Sequence, residues 1–205
     1  MTTKYGFPDI HEALVEDLKG AYPTKWEDFE TARILGEDIF GSPKPHPNAV
    51  LSLFLEQRIK FALPFAAYRA GLGGPFALAS ETPGMVLPRL TLASIIHGMG
   101  AMRGVMTYIA HTVVYTWDLG ACSERACVLS VGINLTNQRM EALKKTFDAI
   151  LKESKGDMLS SLTLGSLLCG DCARRLENTH CGCRKEFIWA RLPSLLGLEG
   201  WESIS

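Results

Sequence analysis

Two cysteine doublets, Cys122-x4-Cys127 and Cys169-x2-Cys172, constrain this chain more than any other feature. Two short-spaced pairs can close a tetrahedral thiolate site of the kind Zn²⁺ takes in structural roles. Closure demands that the chain return on itself, because 41 residues separate Cys127 from Cys169. That span is longer than in common zinc ribbons and holds a whole amphipathic segment, whose antiparallel return would bring the pairs together. A CxxC at the mouth of a helix is favourable twice: the turn gathers both sulfurs, and helix N-terminal amides stabilise thiolates. For Cys122, Cys127, Cys169 and Cys172 the metal reading is preferred over burial as free apolar thiols, the common alternative. His180, Cys181 and Cys183 follow as spare ligands, but for these three burial is the preferred reading.

The remaining bulk properties exclude more than they assign. A formal charge of −1 over 205 residues supplies no field to attract nucleic acid or an anionic membrane. The most apolar stretches, 50–55 and 61–80, are broken by Pro64, Arg69 and Gly71-Leu72-Gly73-Gly74. Neither approaches the ~20 apolar residues that span a bilayer. Met1-Thr2-Thr3-Lys4-Tyr5 lacks the apolar core of a signal peptide. The chain is therefore expected to be intracellular, in cytoplasm or nucleus, where disulfides are rare and close cysteines serve metals or stay as thiols.

Periodicity predicts an all-α fold. Residues 8–20 carry Ile10, Leu14, Val15 and Leu18 at helical spacing, and Thr24 with Glu27 forms a capping box for a helix over 24–37. Pro43, Pro45 and Pro47 force an extended linker. Asn48 is expected to cap an apolar helix from Ala49 to about Lys60, and Pro64 to open another as far as Tyr68. Gly71 to Pro88 reads as loop. A long helix over 91–117 contains Gly98, Gly100 and Gly104, which suggest close approach of another helix or a kink. Helices over 136–153 and 172–179 follow, with Trp189, Leu192, Leu195, Leu196 and Trp201 closing the chain as an apolar tail.

Catalytic constellations are weak throughout. There is no HExxH, and no H-x-E accompanies the CxxC, so an open catalytic zinc is not indicated. A thioredoxin-type reading of Cys169-Gly170-Asp171-Cys172 would require βαβ surroundings, and these are helical. Gly71-Leu72-Gly73-Gly74 lacks the Lys-Ser/Thr of a phosphate loop, and His97-Gly98-Met99-Gly100 has no G-x-S-x-G partner.

Several runs, however, resemble a known group. Lys4-Tyr5-Gly6-Phe7 through Leu18, Ala21-Tyr22-Pro23-Thr24, Ile34-Leu35-Gly36-Glu37 and Pro43 through Val50 are similar to fungal BTB/POZ domain-containing proteins. The region matched is the one after their BTB fold. Leu63 to Tyr68, Leu87 to Leu90, Leu168 to Cys172 and Leu192 to Leu195 fit the same group, so the likeness covers nearly the full length. It implies a helical extension of the BACK type, which positions a substrate receptor, and a zinc-like feature recurrent in such tails. The strand-and-helix BTB body would precede Lys4, where only Met1-Thr2-Thr3 stand, so dimerisation and cullin contact transfer to no residue here.

The resulting expectation is an irregular helical bundle in three parts. Residues 1–40 would be residual helices of a BTB-type domain, 41–48 a Pro-rich linker, and 49–205 a helical domain with the cysteine cluster. Its function would be non-enzymatic protein–protein interaction, with a structural Zn²⁺ as sole cofactor. Ile10, Leu14 and Leu18 are the candidate contacts for a protein partner or a second copy; neither nucleic acid nor membrane is expected. The rival readings are a cysteine-based metal or redox protein and a truncated, non-functional gene product.

Overall fold

A computed structural model of the chain describes residues 8–35, 45–79, 86–118, 122, 127, 136–153, 156–162 and 168–204. The described residues are helical, with no strand or sheet among them, as the periodicity predicts. Two compact units divide the chain, Met1–Met99 with Leu192–Ser205, and Gly100–Arg191.

In the first unit, α1 (Pro8–Ala21) and α2 (Trp26–Leu35) are followed by α3 (Pro47–Gln57), a 3-10 turn (Lys60–Ala62) and α4 (Leu63–Leu72). Helix α3 begins one residue before the expected cap. His46, in an extended conformation, accepts the Asn48 backbone N–H on Nδ1 at 3.3 Å. Asn48 is instead buried inside the first turn, where its side-chain amide donates to the Ala77 carbonyl at 2.7 Å. That bond ties the start of α3 to α5 (Gly74–Leu78), a short helix in a stretch expected to be loop. The Gly-Pro start there is compatible with a helix because a proline in the first turn loses no intrahelical bond. Helix α4 contacts α3, α5 and α9 (Leu192–Leu195), and α10 (Trp201–Ile204) meets the 3-10 turn.

An aromatic cluster fills this unit. Tyr22 meets Phe54 edge-on at 4.7 Å and Phe65 at 6.2 Å, while Phe29 meets Phe65 at 5.8 Å and Trp26 at 5.3 Å. Such pairs add about 0.5–1.5 kcal/mol each beyond the area they bury. Burial pushes the Tyr22 hydroxyl up to about 12, so it stays protonated under ordinary conditions. Gly197, at φ +71, provides the left-handed residue that ends α9, and the Leu198 amide donates back to Pro193.

Helix α6 (Arg89–Asp118) is a continuous 30-residue element within which the division between units falls. Of its three glycines, read as marks of close approach by another helix or of a kink, one shows the close approach. Gly98 is buried against the Leu195 backbone of α9, whereas a side chain at Gly100 or Gly104 would meet nothing within 4 Å. In the second unit α6 buries Met102, Met106, Ile109, Ala110 and Val113, the i, i+4, i+7, i+8, i+11 stripe of one helical face. Helix α7 (Thr136–Glu153) has the bounds the periodicity predicts and buries Leu143 and Ile150, with Phe147 half-buried against His111 at 5.0 Å. Helix α8 (Gly170–Arg184) runs longer than expected and continues into a π-helical segment, Lys185–Trp189. Buried Arg184 donates to the Leu159 carbonyl, pinning the otherwise buried Met158-Leu159 turn to the end of α8.

Candidate metal centre

The start of α8 explains why Cys169 and Cys172 come together. Cys169 is the N-cap, with extended backbone angles of −69° and 161°, and its carbonyl accepts the Ala173 amide at 3.0 Å. Cys172 lies in the first turn, and residues three apart share one face of a helix. The first amides of a helix have no partner within it, so their partial positive charge falls on this pair of sulfurs. The Cys172 backbone amide is the main influence that lowers the Cys169 thiol to about 7. Burial pushes Cys172 the other way, up to about 12, although the Arg175 guanidinium beside it works against that rise.

The second doublet meets the first. The sulfurs of Cys122, Cys127, Cys169 and Cys172 all lie within 4.8 Å of one another. Cys122 Sγ and Cys169 Sγ are 3.5 Å apart. A regular tetrahedron with Zn–S bonds of ~2.3 Å has edges of about 3.8 Å, so the observed set needs only side-chain adjustment to close on such an ion. Cys122, Cys127 and Cys172 are buried and Cys169 is half-buried. Four sulfurs already fill a tetrahedron and leave no open position for a reacting water. The donor set therefore fits a soft, closed, structural site, and any dication bound there would displace the thiol protons.

Arg175 is the functional neighbour that motif reading missed. Its Nη2 lies 3.1 Å from Cys172 Sγ, one turn further along α8. Four thiolates around a dication carry a net charge of −2, and a guanidinium at this distance offsets part of it. The signal was present as a basic residue at i+3 from the second cysteine of a CxxC on a helix.

The spare ligands do not join the group. His180, Cys181 and Cys183 sit eight or more residues beyond Cys172 on α8, about 12 Å or more down the axis at 1.5 Å per residue. His180 is fully buried and Cys183 buried, while Cys181 is half-buried. Burial, with the Arg184 cation nearby, holds His180 down to about 3, so it is neutral in the folded protein. Of the candidate partner contacts, Ile10 and Leu14 have side chains outside the described residues. Leu18 is half-buried, and its carbonyl accepts the Tyr22 amide at 2.7 Å. Elsewhere in the first unit, Phe76 and Leu90 are 95% and 84% exposed. Leu90 borders a cleft of about 220 Å³ lined by Leu51, Leu63, Ile95 and Leu196.

Among the described residues no helix is long and apolar enough to cross a membrane. Compared with known protein families, curated proteins and solved structures, the chain matches none of them.

Proposed function

We propose that this chain is a non-enzymatic, helical protein-interaction module whose cysteine-bearing unit is stapled by a structural Zn²⁺. The observation that carries the reading is the set of four mutually adjacent sulfurs, three of them buried. Helices around such an ion lose a rigid cross-link when it leaves, because structural zinc sites contribute folding energy directly. The interaction part is supported by the exposed Phe76 and Leu90, large apolar side chains presented to solvent in the first unit. Resemblance to the helical region after the BTB fold of fungal BTB/POZ proteins belongs to the same proposal.

The test compares the wild-type chain with Phe76→Glu/Leu90→Glu and with Cys169→Ser/Cys172→Ser in affinity purification from the native cell. A partner retained by the wild type and lost from the surface variant, at unchanged thermal stability, supports the module. A wild-type sample that retains nothing beyond the surface variant contradicts it. Loss of zinc and of helicity in the cysteine variant supports the staple independently.

A further inference from the structure

The four sulfurs are unequally sheltered. Cys122, Cys127 and Cys172 are 7%, 1% and 2% exposed, whereas Cys169, the N-cap of α8, is half-buried. A solute entering from water therefore reaches Cys169 first. Its sulfur stands 3.5 Å from that of Cys122, which belongs to the other doublet. A disulfide needs about 2.05 Å, so the two must approach by only about 1.5 Å. A bond between them would take one ligand from each doublet and leave a bound ion only Cys127 and Cys172, half of its coordination.

We propose that the centre is a hydroperoxide-responsive metal switch in which Cys169 is oxidised first and Cys122 resolves it. This rests on the thiolate–metal reading above. The Cys169 thiolate attacks hydrogen peroxide; an S–O bond forms, the O–O bond breaks, and the leaving hydroxide takes a proton to become water. The Cys122 thiolate then attacks the sulfenic sulfur; the S–S bond forms, the S–O bond breaks, and hydroxide leaves as a second water after taking a second proton. In sum, two thiolates, one peroxide and two protons give one disulfide and two waters. Two electrons pass from sulfur to peroxide, and the zinc ion leaves without changing oxidation state. A dithiol reductant reverses the step and restores the site.

The experiment treats the purified, zinc-bearing full chain with hydrogen peroxide. Released zinc is followed with a chromogenic chelator, and disulfides are mapped by proteolysis and mass spectrometry. The expected result is release of about one zinc per chain in step with a Cys122–Cys169 cross-link. Dithiothreitol and added zinc should reverse it, and Cys181→Ser, outside the cluster, should behave as wild type. Zinc retained after thiol oxidation, or cross-links confined to Cys122–Cys127 and Cys169–Cys172, would overturn the switch while leaving the staple intact. A purified chain with no zinc and no uptake of added zinc would overturn both readings. A Cys122–Cys169 cross-link formed in that sample would mark an ordinary thiol pair.

Discussion

One substitution repeated along α6 should change sign with position. At Gly98, an added Cβ would lie 2.9 Å from the Leu195 carbonyl carbon and closer still to its oxygen. Leu196 Cδ2 would stand 3.0 Å away on the same side. The first obstacle is backbone, so it cannot rotate aside as a side-chain tip would. Overpacking of this kind costs about 1–3 kcal/mol, and a backbone clash belongs at the upper end. Alanine recovers about 1 kcal/mol over glycine in a helix interior. Gly98→Ala should therefore lose about 2 kcal/mol, or roughly 4–8 °C in Tm for a chain of this size. At Gly100 and Gly104 nothing lies within 4 Å of the added Cβ, so only the helix-propensity gain remains. Those two variants should each gain about 0.5–1 kcal/mol, raising Tm by roughly 1–4 °C. Differential scanning calorimetry on the three single variants decides the matter. A neutral or stabilising Gly98→Ala, or three shifts of one sign, would refute the packing of α6 on α9.

Three further outcomes follow from the second unit. His180 is held down to about 3 when folded and titrates near 6.5 when unfolded, so the unfolded chain takes up a proton first as pH falls. Stability should fall by up to about 1.4 kcal/mol per pH unit below pH 6, and urea melts of His180→Leu should show that slope reduced. In the metal-free protein, alkylation of Cys169 should rise with pH through a midpoint of about 7, while Cys172, held up to about 12, stays unreactive; peptide mapping that finds Cys172 modified first would contradict this. Arg175→Met should weaken zinc affinity about 10-fold in a chelator competition, with Arg175→Lys restoring part of it; equal affinities would remove the guanidinium from the site.

The helices were the legible part of this sequence because their signals are local. The 136–153 element was readable to its ends from its helical periodicity, and Leu143 and Ile150 are buried with Phe147 half-buried on the same helix. The Cys169-Cys172 doublet was legible for another reason: two thiols at the start of a helix share one face and one set of free amides, whereas the meeting with Cys122 and Cys127 rests on a chain return that spacing alone leaves open. Reading failed where a residue's role is set by a distant partner. Asn48 resembles a cap, yet the Ala77 carbonyl, 29 residues away, draws its amide into the interior and leaves capping to His46. Gly98, Gly100 and Gly104 look alike in sequence, and only the position of Leu195 separates them. His180 and Cys183, by contrast, are buried as the sequence reading preferred, and the helical rise carries His180 a full two turns from Cys172.

Zinc-edge X-ray absorption on the protein purified under reducing conditions reads the four-sulfur centre itself. The expected spectrum shows about one zinc per chain with four sulfur neighbours at ~2.3 Å and no nitrogen or oxygen in the shell. A chain that neither carries nor takes up zinc, or a shell containing histidine nitrogen, would contradict it.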